Sequence, residues 1–259
     1  MSNKVVRDFM ELYELNKEDL ISTEKFPNEE DFINYVEGEY NTDKHWAFEV
    51  KPEECALLVI DMQEDFVNPG GKMFVPQAYR MVPRLKKVIE ACRELGVPVI
   101  YPTHTIPEDA AADFYEYWDP IREGGIKEGT DGTKVYSGLE RLPTERVIDA
   151  KHAYCSFAGT NLDYVLRNLG VKTIIISGTL TNFCCESTAR SGYFLNYHVV
   201  FGSDINATDN ALAHEASIRT LRRGFARIMS GDEIIDTLKN GDETYKKAAA
   251  ARKAVLAEK

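Results

Sequence analysis

Five short, largely apolar runs constrain the fold of this 259-residue chain more than any other feature. They lie at residues 56–60, 97–101, 146–148, 173–177 and 198–201, and stretches with helical spacing separate them. Strands that are apolar on both faces need cover on both faces, which is typical of parallel sheets flanked by helices. The pattern therefore predicts an α/β fold, with a doubly wound, mostly parallel sheet and helices on both faces.

The stretches between the runs carry helix signals. Apolar residues in 85–95 recur at i, i+3, i+4, i+7 and i+10, and this pattern stops at Gly96. Residues 162–169 have the same character, and residues 209–238 are expected to form one or two helices. Residues 105–134 contain several glycines and prolines, so we expect an irregular segment that serves as a lid or an oligomer contact.

The charge distribution divides the chain into three parts. Residues 1–50 hold 13 Asp or Glu and 5 Lys or Arg, so most of the formal net charge of −11 lies there. We expect residues 1–50 to form an acidic, helical extension that wraps the domain or a neighbouring subunit. A partly ordered acidic tail is the alternative. Residues 51–240 are expected to form the catalytic domain, and residues 241–259 a charged C-terminal helix.

Several functional classes are disfavoured by composition. The sequence shows no basic stripe of the kind that binds a phosphate backbone, which argues against nucleic acid as a partner. The first apolar run is too short to span a bilayer, and no export signal is seen, so a soluble cytosolic protein without a membrane partner is expected. The cysteines, which show no paired spacing, are expected to be reduced: Cys55, Cys92, Cys155, Cys184 and Cys185.

Three chemically capable side chains follow predicted strands. Asp61 comes directly after the first run, and it suits a general base, a metal ligand or a cap of the next turn. Lys151 follows the third run, although a lone lysine is usually a surface charge. Cys184 follows the fourth run where a helix can begin, so backbone N–H groups and the helix dipole would stabilise a thiolate or an oxyanion.

The alternative for Cys184 and its neighbour Cys185 is burial as small hydrophobic side chains. The conjunction favours chemistry, because the carboxyl ends of parallel strands meet at one edge of a sheet. Asp61, Lys151 and Cys184 together would supply a base, a cation and a nucleophile.

Three stretches of the sequence carry a family resemblance. They are residues 58–66, Leu-Val-Ile-Asp-Met-Gln-Glu-Asp-Phe, with the Pro-Gly-Gly of 69–71, then Lys151 with 154–159, and then 178–190. In these stretches the chain resembles the isochorismatase-like cysteine hydrolases. The resemblance covers about residues 52–235. The stretch 184–197 is most similar to the ureido-cleaving amidases of this family.

The resemblance implies a role for each of these residues. Asp61 would take the thiol proton, Lys151 would hold Asp61 and the thiolate in register, and Cys184 would attack an amide carbonyl. The backbone N–H groups of Leu180 and Cys184 would form the oxyanion hole, and the Thr179–Leu180 peptide would be cis. A dimer or tetramer is also implied.

Two departures within the family refine the expectation. True isochorismatases lack the nucleophilic cysteine, so Cys184 favours amide hydrolysis. Nicotinamidases hold a metal through an Asp-x-His pair and another histidine, whereas here His104 stands after the second run without a paired acid. No metal and no cofactor are therefore expected. His104 is left open between lining the pocket and a structural role.

The sequence thus predicts a metal-independent cysteine amidohydrolase that cleaves a small linear amide or ureido compound and releases ammonia or a small amine. The alternatives are a nicotinamidase-like hydrolase of aromatic carboxamides and a non-catalytic binding or scaffold protein. Candidate substrate-binding residues, for which core packing is an equally good account, are Gln63, Phe66, Trp118, Tyr154 and Phe157.

Overall fold

A six-stranded sheet organises the part of the chain that the computed structural model describes, residues 47–107 and 118–257. The strands are β1 Cys55–Ile60, β2 Val99–His104, β3 Arg146–Lys151, β4 Thr173–Thr179, β5 His198–Ala207 and β6 Arg227–Met229. They lie in the order β3-β2-β1-β4-β5-β6, and every neighbouring pair is parallel. The chain moves outward from β1 on one side and from β4 on the other. The predicted α/β class is therefore confirmed.

Helices connect the strands. They are α1 Glu64–Val67, α2 Pro76–Glu94, α3 Asp119–Arg122, α4 Leu162–Asn168, α5 Glu186–Phe194, α6 Ala211–Gly224, α7 Gly231–Asn240 and α8 Glu243–Ala257. A π-helical turn, Thr181–Cys185, leads directly into α5. Single 3-10 turns occur at Pro52–Glu54, Asp131–Thr133 and Ser137–Leu139. None of the helices in the described ranges has both the length and the apolar character that a membrane span requires.

The sheet separates two hydrophobic cores. Alternate side chains of the fully buried strand β1 point to opposite faces, with Leu57 in one core and Leu58 in the other. The first core packs against α2 and α7, and the second packs against α4, α5 and α6. Each fully buried aliphatic side chain contributes about 1.5–3 kcal/mol. Burial on both faces explains why the sequence shows unbroken apolar runs rather than alternation.

The structure corrects the predicted elements at one point. Residues 209–238 contain strand β6 between α6 and α7, whereas the sequence pattern predicted only helices there. Strand β6 has three residues and begins with Arg227, so it offers no apolar run. Arg227 is buried because its guanidinium bonds both carboxylate oxygens of Asp242, which is also buried. Only the tertiary pairing makes a charged residue acceptable in this strand.

The same ion pair joins both ends of the described domain. Asp242, just before α8, also accepts hydrogen bonds from the backbone N–H groups of Val50 and Tyr245. Arg227 donates to the carbonyl of Phe48. Helix α8 lies within the segment expected to be a C-terminal helix. The predicted N-terminal extension falls outside the described residues, apart from residues 47–50.

Candidate active site

The three candidate catalytic residues meet at the carboxyl edge of the sheet. Asp61 follows β1, Lys151 ends β3, and Cys184 lies in the π-helical turn after β4. Strands β1 and β4 are neighbours from which the chain runs in opposite directions, and ligands of open α/β sheets bind at such a switch point. The topology thus places the acid and the thiol where a substrate would enter.

The close approach of β1 and β4 depends on a glycine. Gly178 has φ +124°, and a Cβ there would lie 2.0 Å from the carbonyl oxygen of Ile60. Any other residue at this position would push the two strands apart. Asp61 also has a positive φ, +50°, and its carbonyl accepts a hydrogen bond from Gln63 N at 2.8 Å. This tight turn directs the chain away from the sheet immediately after the carboxylate.

Lys151 connects the acid to the thiol. Its Nζ lies 2.7 Å from Asp61 Oδ2 and 3.5 Å from Cys184 Sγ. Asp61 and Lys151 are fully buried, and Cys184 is 4% exposed. A buried charge is tolerated only when it is paired, so the ammonium and the carboxylate depend on each other. The arrangement that the sequence predicted for Asp61, Lys151 and Cys184 is therefore present in space.

Burial is the largest single influence on the pKa values of these three side chains. Burial raises the pKa of the Asp61 carboxyl, and the Lys151 ammonium only partly opposes this. Burial also raises the pKa of the Cys184 thiol, and the charge of Asp61 adds to the effect. Burial alone would lower the pKa of Lys151, but the attraction of Asp61 and Cys184 outweighs it and raises the pKa. Burial thus increases the proton affinity of both the Cys184 thiol and the Asp61 carboxyl.

Cys184 lies inside a π-helical turn that leads directly into helix α5. Burial there opposes ionisation of the thiol, so the stabilising effect of the helix N-terminus that the sequence suggested is not the dominant influence on its pKa. The same turn is closed by hydrogen bonds from Phe183 N and Cys185 N to the carbonyl of Leu180, at 3.1 and 3.2 Å. The Thr179–Leu180 peptide is cis, as the resemblance implied. The two expected oxyanion donors, Leu180 N and Cys184 N, belong to this segment.

The side chain of Gln63 forms hydrogen bonds with the protein backbone. Its amide donates to the carbonyls of His104 at 2.8 Å and Thr133 at 3.0 Å, and it accepts from His104 N at 2.9 Å. The side chain is fully buried, and both of its donors are used. The expectation that Gln63 contacts substrate is therefore replaced by a positioning role, in which it fixes the end of β2 against the irregular segment.

Two of the expected aromatic residues line a small cavity beside the turn after β4. Phe66 and Trp118 face this cavity of about 320 Å³ together with Leu180. Lys72 and Asp209 also line it, so charges of both signs border the apolar walls. A pocket of this size suits a small molecule with a few polar groups.

The other two aromatic residues pack differently from each other. The ring of Tyr154 lies 5.3 Å from that of Phe183, next to Cys184 in sequence, and 6.1 Å from that of His104. The ring of Phe157 instead stacks on Tyr197 at 5.8 Å, within the second core. Phe157 is therefore explained by packing, which corrects its assignment to the pocket wall.

His104 is the residue whose role the sequence left open. It is 3% exposed, at the end of β2, and a ring nitrogen lies within 4.8 Å of both a carboxylate oxygen of Asp61 and Cys184 Sγ. Burial, assisted by the charges of Lys151 and His152, lowers the pKa of its imidazole well below the usual value. Spacing along the chain offered no paired ligand. The parallel alignment of β1, β2 and β4 supplies these neighbours.

Comparisons with known proteins agree with this geometry. The family model of the Isochorismatase domain matches residues 55–233. Nicotinamidase 3 of Arabidopsis thaliana is 30% identical over 182 residues, which is 70% of this chain and 86% of that protein. The ureidoacrylate amidohydrolase RutB of Pseudomonas savastanoi pv. phaseolicola is 27% identical over 223 residues, covering 73% and 85% respectively.

A solved structure gives the same result. The cysteine hydrolase from Pseudomonas syringae pv. phaseolicola 1448A superposes with a TM-score of 0.69 at 29% identity, over 75% of this chain and 96% of that one. The chain therefore belongs to the isochorismatase family, and it is a hydrolase of amide bonds other than peptide bonds.

Proposed function

We propose that this protein is a metal-independent cysteine amidohydrolase that cleaves a carbon–nitrogen bond of a small linear ureido or carbamoyl compound. The observation that carries the proposal is the buried Lys151 ammonium between Asp61 Oδ2 and Cys184 Sγ. A base, a cation and a thiol in contact at a strand switch point are the parts that nucleophilic acyl transfer requires.

The first half-reaction forms a thioester. Asp61 accepts the Cys184 proton as Sγ attacks the carbonyl carbon, so that no free thiolate has to exist beforehand. The backbone N–H groups of Leu180 and Cys184 would stabilise the oxyanion of the tetrahedral intermediate. Asp61 then protonates the leaving nitrogen, the carbon–nitrogen bond breaks, and ammonia or a small amine departs.

The second half-reaction restores the enzyme. Asp61, ionised again, takes a proton from water, whose oxygen attacks the thioester carbonyl. The carbon–sulfur bond breaks, and Cys184 leaves with the proton that Asp61 returns. The raised pKa of Asp61 favours the steps in which it acts as a base, because a carboxylate with higher proton affinity accepts the proton of the thiol or of water more readily.

The choice of a ureido substrate rests on two supports. The resemblance of residues 184–197 favours the ureido-cleaving members of the family, and one relative is named as a ureidoacrylate amidohydrolase. The cavity beside Leu180 is small and bordered by Lys72 and Asp209, which suits a compact polar molecule. Hydrolysis of an aromatic carboxamide is the second candidate, because a nicotinamidase is also among the relatives.

Ammonia release tests the proposal. Steady-state kcat/KM would be measured for biuret, triuret, ureidoacrylate, N-carbamoyl amino acids and nicotinamide. We expect a ureido or carbamoyl compound to be the best substrate, and a preference for nicotinamide would refute the substrate class.

The nucleophile is tested with matched variants. Cys184→Ala should abolish turnover, whereas Cys185→Ala, which removes the adjacent buried thiol, should retain it. Intact-mass spectrometry during turnover should detect an acyl adduct in wild type and none in Cys184→Ala. Turnover by folded Cys184→Ala at the wild-type rate would overturn the mechanism.

A further inference from the structure

Two buried side-chain polar atoms at the active site have no hydrogen-bond partner among the residues that the structure describes. They are Asp61 Oδ1 and His104 Nε2. An unsatisfied buried polar atom is costly and is rare in native proteins, so a pair of them beside one thiol points to a ligand. Both residues belong to the group in which a ring nitrogen, a carboxylate oxygen and Cys184 Sγ lie within 4.8 Å of one another.

We propose that Asp61, His104 and Cys184 form an inhibitory binding site for Zn²⁺ that reversibly captures the nucleophile. Inhibition rests on the proposed catalytic function of Cys184, whereas metal binding itself does not. The donor set is a thiol, an imidazole and a carboxylate, which are the three kinds of side chain that bind zinc in proteins. This set differs from the Asp-x-His arrangement of nicotinamidases, because it recruits the catalytic acid and the nucleophile themselves.

The distances are compatible with tetrahedral coordination. With metal–ligand bonds of about 2.0–2.3 Å, the ligand atoms of a tetrahedral zinc site lie roughly 3.3–3.8 Å apart. Since the three donor atoms already lie within 4.8 Å of one another, small side-chain rotations suffice to bring them onto one ion. The three side chains end adjacent parallel strands or the turn after one, so the sheet holds them together.

Lys151 leaves one oxygen of Asp61 available to a cation. Its Nζ bonds to Oδ2, whereas Oδ1 of the same carboxylate has no partner in the described part of the chain. When zinc binds, the Sγ–H bond breaks, a zinc–sulfur bond forms, and the proton passes to solvent. No atom changes oxidation state. The site gains one net positive charge, which a hydroxide or chloride at the fourth position would neutralise.

Cobalt is a direct probe of the site, because Co²⁺ bound to a thiolate has a charge-transfer absorption that Zn²⁺ abolishes by displacement. We expect this band when Co²⁺ is titrated into the wild-type protein. It should be absent from Cys184→Ser and unchanged in Cys155→Ser, which removes a partly exposed thiol outside the site. For His104→Asn we expect Co²⁺ affinity to fall by roughly tenfold or more, since even outer-shell partners of metal ligands have effects of that size.

The second measurement is inhibition of amide hydrolysis by Zn²⁺ and its reversal by EDTA. His104→Asn should be less sensitive to Zn²⁺ than wild type, with His104→Gln as a second variant if the first does not fold. A thiolate–cobalt band in wild type that persists in Cys184→Ser or is undiminished in His104→Asn would overturn the site. So would the lack of a band in wild type. If Co²⁺ binds as expected but no amide is hydrolysed, the site stands and the proposed function fails.

Discussion

Replacement of Lys151 by methionine isolates the contribution of its charge, because methionine fills a similar unbranched volume. Lys151 lies 2.7 Å from Asp61 Oδ2, and both side chains are fully buried. Loss of one partner from a buried ion pair costs about 3–5 kcal/mol. If this cost falls on the ionised form of Asp61, the acid dissociation constant of Asp61 decreases by roughly a hundredfold to several thousandfold, at 1.36 kcal/mol per factor of ten.

The change in the charge of residue 151 should shift the pH profile of kcat/KM in a defined direction. Loss of the ammonium raises the pKa of Asp61 further, so the acid limb of the kcat/KM profile should move to higher pH. On the acid limb, where Asp61 is protonated in both proteins, Lys151→Met should lose at least about a hundredfold in kcat/KM, and part of the activity should return as the pH increases. Ammonia release measured across the pH range, with circular dichroism as a check of folding, tests this expectation.

A surface lysine provides the control. Lys172 is an exposed residue bonded to Glu54, so Lys172→Met makes the same chemical change outside the active site. Its profile should superimpose on that of wild type. If folded Lys151→Met retains the wild-type acid limb, or loses less than about tenfold in kcat/KM on that limb, Lys151 does not control the ionisation of Asp61.

Two further predictions concern stability. Gln63→Leu leaves the N–H and carbonyl of His104 unpaired, so urea denaturation should show a loss of about 2–6 kcal/mol, at 1–3 kcal/mol for each buried group; an unchanged midpoint would contradict the positioning role. Asp242→Ala leaves Arg227 buried without its partner and should cost about 3–5 kcal/mol at neutral pH. Burial raises the pKa of Asp242, but the hydrogen bonds from Arg227 and from the backbone N–H groups of Val50 and Tyr245 together outweigh it and lower the pKa. This difference should therefore be full above about pH 4 and shrink as the pH falls through the folded-state pKa. A difference that stayed constant into acid would refute it.

The sequence contained enough information for the sheet and the triad. Strands buried on both faces must be apolar throughout, so β1 and β4 appear as unbroken runs. Residues placed directly after such strands reach the same edge of a parallel sheet, which is why Asp61, Lys151 and Cys184 could be grouped before any contact was known. The expectation failed for β6, because a strand with a buried arginine is recognisable only once its partner Asp242 is located.

The tertiary structure decided what these residues can do. Burial raises the pKa of the Cys184 thiol, and the solvation of a side chain is a property of everything packed around it. The tertiary structure places His104 close to Asp61 and Cys184, and it uses the side chain of Gln63 in hydrogen bonds within the protein. Local sequence determines which residues end the strands, because the apolar runs and the residues that follow them can be identified along the chain. Distances between those ends depend on strand order and register, and these arise only when the whole sheet assembles.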